Sequence, residues 1–163
     1  MEDTDWTAKG TSLIQEGKYV EAIACFDRSL NENPDDLEAL VNKGCALLFL
    51  DRAQEALEIT DKALDIDANH TTALYNKGNA LFKLNEFEEA MSAFERTLEV
   101  DPSHARAWYN KGCLASIQGK TDEALWCLEK AMNLDREGVL ALIEMDFHLE
   151  NIRNDPRFKE LVG

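Results

Sequence analysis

Asn76-Lys77-Gly78-Asn79-Ala80-Leu81 decides the fold, because the chain repeats it. The triplet Asn-Lys-Gly stands at Asn42-Lys43-Gly44, Asn76-Lys77-Gly78 and Asn110-Lys111-Gly112, 34 residues apart each time. One period earlier the slot reads Ala8-Lys9-Gly10. A fixed period in this range marks a stacked repeat protein. Four windows follow without insertion or deletion: 3–36, 37–70, 71–104 and 105–138. Gly10, Gly44, Gly78 and Gly112 share one place, and Ala22, Ala56, Ala90 and Ala124 another. Leu30, Leu64, Leu98 and Met132 close the windows, and Asp27-Arg28, Asp61-Lys62, Glu95-Arg96 and Glu129-Lys130 recur as an acidic-basic doublet.

Each window reads as two amphipathic helices. In the third, Leu74, Lys77, Gly78 and Leu81 fall on one helical face. Asn85-Glu86 breaks that run, and Ala90, Met91, Phe94, Thr97 and Leu98 begin another, which Asp101-Pro102 ends because proline cannot continue a helix. Glycine inside a helix costs about 1 kcal/mol relative to alanine, so four at one place argue for close helix contact. After the fourth window, Val139 to Ile152 reads as one further helix with Leu142, Met145, Leu149 and Ile152 on a face. A tail from Asn154 to Leu161 follows, with Pro156 at a first helical position and Phe158 and Leu161 as anchors. A single domain is expected: four repeats over 3–138 and a capping helix with its tail over 139–163. Thr4, Thr7, Thr11 and Gln15 read as a polar outer face of the first helix.

Composition narrows the function. Of 163 residues, 45% are apolar and 30% charged, as in a folded globular protein, and the net charge is −15. Such a chain is repelled by nucleic acid and anionic membranes, so neither is expected as a partner. The fourth window is balanced, with five acidic and five basic residues, so the excess lies elsewhere. The acidic start, Met1-Glu2-Asp3-Thr4-Asp5-Trp6, does not resemble a signal peptide, and no apolar run approaches the roughly 20 residues of a membrane helix. Cys25, Cys45, Cys113 and Cys127 form no C-x-x-C pair. These features give the expectation of a cytoplasmic protein with reduced thiols. His70 and His104 occupy the same inter-repeat place and read as surface residues, while His148 with Glu144 makes a two-ligand pair too small for a metal site. No nucleophile–base pair or phosphate loop is visible. No enzyme activity, metal or cofactor is expected.

The repeated pattern resembles the tetratricopeptide repeat family: a large apolar residue, Gly four places on, Leu three further, an Ala-x-x-x-Phe pair and a turn Pro. In the first window these are Trp6, Gly10, Leu13, Ala22, Phe26 and Pro34; in the third, Leu74, Gly78, Leu81, Ala90, Phe94 and Pro102. Lys9, Lys43, Lys77 and Lys111 depart from the family's usual leucine, Thr60 replaces the aromatic, and Ala68 and Arg136 replace the proline. A lysine stem can pack while its ammonium reaches water.

The resemblance implies an all-α, right-handed superhelical solenoid of helix-turn-helix units and a protein-binding role. The first helices of such repeats line a concave groove. The residues expected there are Val41, Asn42, Cys45, Leu48 and Phe49, then Thr72, Tyr75, Asn76, Asn79, Phe82 and Lys83, then Arg106, Tyr109, Asn110, Cys113 and Ile117. Leu140, Ile143 and Phe147 would add to them. Asn42, Asn76 and Asn110 would clamp the backbone of a bound segment, because an amide both donates and accepts. The apolar and aromatic residues would supply affinity. Chaperone-binding members grip an acidic peptide with cations, and at those places only Arg106 is basic here. A neutral, apolar or basic protein or peptide partner is expected. The residues alone leave open whether the chain's own tail fills the groove, or whether groove and end faces build a homo-oligomer.

Overall fold

The computed structural model describes residues 5–163; Met1 to Thr4, with the first two residues of window 3–36 and the Thr4 of the polar face, lie outside the described residues. Among the described residues every regular element is helical. Four helix pairs follow the repeat: α1 (Trp6–Gln15) and α2 (Tyr19–Glu32), α3 (Leu37–Phe49) and α4 (Ala53–Ile66), α5 (Thr71–Lys83) and α6 (Phe87–Val100), α7 (Ala105–Ile117) and α8 (Thr121–Leu134). Two further helices, α9 (Arg136–Met145) and α10 (Pro156–Val162), flank a 3₁₀ turn at Phe147–Leu149.

The turn inside each pair is built identically. Gly17, Asp51, Asn85 and Gly119, again 34 residues apart, hold φ of 74°, 58°, 62° and 73°. The next residue's N–H returns to a carbonyl five residues back: Lys18 to Leu13, Arg52 to Leu47, Glu86 to Leu81 and Lys120 to Ala115, each at 2.9 Å. This is the Schellman closure, which satisfies the last carbonyls of the first helix. Glycine or a short Asn/Asp side chain suits the left-handed backbone it needs. Between pairs the helix N-terminus is capped by a side chain instead: Asp5, Asp36 and Asp135 accept from the N–H three residues on. His70 and His104 do the same through Nδ1, at 3.3 and 3.1 Å from the Ala73 and Ala107 N–H groups. They are helix caps, half-buried, rather than plain surface residues.

The helices form two compact units, residues up to Ala93 and from Phe94 onward. In the first, Phe26, Thr60, Leu47 and the alanines at 22, 39, 46, 56, 63, 73 and 80 are essentially fully buried. Gly10 shows why the repeat keeps a glycine, since a Cβ there would stand 2.5 Å from the Phe26 ring. Thr60, in the aromatic slot, buries its hydroxyl by donating to the Ala56 carbonyl at 2.9 Å. Thr7 departs from the polar outer face expected of it. It is buried, its hydroxyl 2.7 Å from both Ser29 Oγ and Asp36 Oδ2, and Ser29 donates to the same carboxylate. Burial pushes the Asp36 carboxyl up, but these hydroxyls and the Ala39 and Glu38 N–H groups hold it below its ordinary value.

In the second unit Leu114, Leu128, Cys127, Val139, Leu149, Ile152 and Phe158 make the core. The single helix expected over 139–152 is broken. α9 begins earlier, at Arg136, and stops at Met145, because Asp146 turns extended (φ −97°, ψ 121°) and its carboxylate caps the following 3₁₀ turn. The apolar face splits with it: Leu149 and Ile152 are buried, whereas Met145 is 89% exposed and Leu142 lies at the surface. Asp155 then caps α10, with Pro156 at its first position and Phe158 buried. Among the described residues no helix is long and apolar enough to cross a membrane.

Candidate functional site

The repeat lysines have a definite job. Lys43 Nζ meets Asp27 at 2.5 Å, Lys77 meets Asp61 at 2.7 Å and Lys111 meets Glu95 at 2.8 Å. Each ion pair joins the first helix of one repeat to the second helix of the repeat before it. Lys9, in the same slot of the first window, lies 5.2 Å over the Trp6 ring instead. The stems do pack, as expected of a lysine in a leucine slot, but the ammonium groups end on carboxylates rather than in open water.

The asparagines also bind within the chain. Asn42 Nδ2 donates to Thr11 Oγ1 at 3.0 Å, and Asn76 Nδ2 donates to the Val41 carbonyl at 3.3 Å. These bonds tie neighbouring first helices together. Asn76 is only 4% exposed, as is Val41. Both are covered in this conformation, and the Asn76 amide holds a bond between α3 and α5. The remaining candidates of the first unit reach the surface. Phe49 is 61% exposed and stacks flat on Tyr19, with ring centroids 4.6 Å apart. Asn42, Cys45, Leu48, Tyr75, Asn79 and Phe82 are half-buried along the same pair of helices, α3 and α5, and Phe82 meets Phe87 edge-on at 5.8 Å.

In the second unit the chain covers part of its own candidate face. Tyr109 Oη donates to Asp146 Oδ2 at 2.5 Å, and the Cys113 thiol donates to the same oxygen at 3.4 Å. His148 approaches the other oxygen with its N–H at 2.8 Å and its Nδ1 at 2.6 Å. Asn151 Nδ2 donates to the Ser116 carbonyl at 2.9 Å. Tyr109 and Cys113, expected to line a groove, are 4% and 2% exposed as a result. Burial raises both their pKa values, with the neighbouring Asp146 charge adding to it. Burial also raises the Asp146 carboxyl, yet Tyr109, His148 and Cys113 outweigh it by hydrogen bonding and hold it below the ordinary carboxylate value. The partners Tyr109 and Cys113 lie 37 and 33 residues back on α7, too far for helical periodicity to link them to Asp146. Arg106 stays exposed, and Asn110 and Ile117 are half-buried. Ile143 is buried, and Phe147 is 75% exposed.

A second concavity lies in the first unit among α4, α5 and α6. Leu57, Leu64, Leu74, Leu81 and Ala93 line about 450 Å³, with the Lys77–Asp61 pair at its edge. Its counterpart one period earlier is lined by Leu30, Leu40 and Ile59. Ala93 stands where that one has Ile59. No group of three or more His, Cys, Asp and Glu side chains that could hold a metal occurs among the described residues. Cys25, Cys113 and Cys127 are buried and Cys45 is half-buried; burial pushes the Cys127 thiol up to about 12.

The fold recurs in known proteins. TTC0263, a thermophilic TPR protein of Thermus thermophilus, is 23% identical with a TM-score of 0.79, over 96% of this chain and 84% of its own. MamA from Desulfovibrio magneticus RS-1 is 23% identical with a TM-score of 0.73, over 97% and 94%. YrrB, a TPR protein with an unusual peptide-binding site, is 27% identical with a TM-score of 0.73, over 85% and 72%. No curated protein sequence matches the chain significantly. Three sequence models of the Tetratricopeptide repeat match residues 7–71, 71–104 and 93–125. With the period, the paired helices and these matches in agreement over residues 7–125, the chain belongs to the tetratricopeptide repeat family.

Proposed function

We propose that the chain is a non-enzymatic scaffold that captures a segment of a partner protein along α3 and α5 of its first unit. The observation that carries this reading is the strip at Phe49. A flat aromatic pair stands at the surface where α3 ends, and α3 and α5 carry half-buried Asn42, Leu48, Tyr75, Asn79 and Phe82. Accessible aromatic rings and amides on neighbouring first helices suit the capture of a partner segment. YrrB, with its peptide-binding site, is a relative of the same repeat fold, and its likeness supports the reading. In the second unit Arg106, Asn110 and Ile117 remain candidate contacts, while Tyr109 and Cys113 are already occupied by the chain's own Asp146.

Affinity capture with the native chain and a Phe49→Ala, Asn79→Ala variant tests it, each first shown to melt as a folded protein. Loss of a heterologous partner from the variant is the expected result; identical capture by both rejects the strip. A second reading is homo-oligomerisation, favoured by the exposure of Met145 and Phe147 at the end of α9. Growth of the particle mass with concentration, abolished by Met145→Asp with Phe147→Asp, would establish it instead.

A further inference from the structure

We infer that the partner segment carries arginine, and that Phe49 is the platform on which its guanidinium stacks. This rests on the reading of the α3–α5 strip as a partner-binding surface and adds the chemistry of the occupant.

Three observations converge. The first is how the chain covers two of its tryptophans, Trp6 and Trp126. Arg28 lies 4.4 Å and Lys9 5.2 Å over the Trp6 ring, and in the second unit Lys130 lies 5.5 Å over Trp126, itself 47% exposed. Phe49 is more exposed than Trp126, yet among the described residues no cation of the chain covers it or Tyr19. Tyr19 backs the ring at an interplanar angle of 7°, which fixes Phe49 with one face turned outward. A planar cation is the natural cover for such a face.

The second observation is charge. From Asp5 to Ala93 carboxylates outnumber cations 17 to 8. Five of those cations are already held in ion pairs: Lys18, Lys43, Arg52, Lys77 and Lys83. Two more sit over Trp6. The unit has little positive charge left for an acidic ligand, and its surplus carboxylates favour a basic one.

The third is position. Phe49 is the last residue of α3, where helix carbonyls concentrate partial negative charge. One period on, the same slot holds Lys83, whose ammonium meets Asp51 at 2.7 Å in the preceding turn. The place of Asp51 is taken by Gly17 one period earlier, so a cation arriving at Phe49 would rest on the ring rather than on a turn carboxylate. Arginine suits it better than lysine because its planar, weakly hydrated head stacks while its five donors stay free for nearby carbonyls and carboxylates.

The experiment uses three otherwise identical alanine- and leucine-containing peptides with arginine, citrulline or glutamate at every fourth position. Each is titrated into the full chain and followed by the NMR signals of the Phe49 and Tyr19 rings. Citrulline keeps the planar shape and removes the charge. The arginine peptide is expected to bind about tenfold tighter than the glutamate peptide and severalfold tighter than the citrulline one, the range of a stacked cation. In Phe49→Leu the preference for arginine over citrulline should shrink severalfold, to the share that the surplus carboxylates supply. Equal binding of those two by the native chain overturns the inference, as does an arginine preference that Phe49→Leu leaves undiminished. Shifts at Asn42, Tyr75 and Phe82 without any at Phe49 or Tyr19 overturn it while leaving the groove standing. Absence of any shift along the strip removes both.

Discussion

Lys77 and Asp61 stand 16 residues apart and meet at 2.7 Å, and the same relation ties Lys43 to Asp27 and Lys111 to Glu95. The lysine that departs from the family's leucine is thus an inter-repeat tie, one per junction. Lys77 and Asp61 are 35% and 49% exposed, so the pair should contribute under about 1 kcal/mol and be screened by salt. Lys77→Ala is expected to lower the melting temperature slightly in dilute buffer. Lys77→Leu should restore or exceed native stability, because the slot is otherwise apolar. Melting curves at low and at molar salt check this; a loss of several kcal/mol in Lys77→Leu would show the ion pair to be indispensable.

Gly10 and Gly17 separate two reasons for glycine. Gly10→Ala would put a Cβ 2.5 Å from the Phe26 ring, an overpacking expected to cost about 1–3 kcal/mol. Gly17→Ala meets no atom within 4 Å but must hold φ near 74°, which costs about 1 kcal/mol. Denaturant titration distinguishes them: repacking a smaller residue at Phe26, such as Leu, should partly rescue the first variant and leave the second unchanged.

Asn76→Ala removes the donor to the Val41 carbonyl in a buried setting and should cost about 1–2 kcal/mol. Phe49→Ala, at an exposed ring, should cost about 0.5–1.5 kcal/mol from the lost stack on Tyr19 and weaken partner capture far more. Equilibrium unfolding beside a binding assay resolves the two; an Asn76→Ala variant of native stability would show that its bond to Val41 does not hold the helices together.

Asp146 predicts an acid response. Its folded carboxyl is held below the ordinary value near 3.8, so its stabilising contribution is fully present above that value and fades as pH falls through the lower one. Asp146→Asn should cost about 1–2 kcal/mol at pH 7, and the difference from native should shrink below about pH 4. Melting curves across that range test it, and a gap that widens in acid would contradict the assignment. Asp36, depressed in the same direction, should add to acid loss in both proteins alike.

Ala93 offers a gain. Replacing it with the isoleucine found one period earlier should fill part of the hollow bounded by Leu57, Leu64, Leu74 and Leu81. A stabilisation of about 1 kcal/mol is expected in thermal unfolding. Destabilisation would mean that the walls do not yield to a larger side chain.

The repeat, the paired helices and the turn prolines were legible because each places one residue type at a fixed interval, and Gly78 or Asn110 announces itself by recurrence. The left-handed turn residues carried the same signal, Gly17, Asp51, Asn85 and Gly119, though their identities vary within the set that tolerates positive φ. What recurrence could not show is the partner each polar group meets. Thr7 read as part of a polar outer face, yet it meets Ser29, 22 positions on; the Asn76 amide meets the Val41 carbonyl 35 positions back, and Asp146 meets Tyr109 37 positions back. Helical periodicity gives the direction of a side chain but not the partner brought to meet it. It also carried the last helix through Asp146, where a cap, not a core residue, was needed.

The most direct test of the central claim is photocrosslinking in source-cell extract, with a benzoylphenylalanine placed at Phe49 or Phe82 on the strip, and at Trp126 on α8 as a control. The account predicts crosslinks from the two strip positions to the same heterologous protein, at a segment bearing basic residues, and none to that protein from Trp126. Crosslinks to that protein from Trp126 alone, or only between copies of this chain, would contradict it.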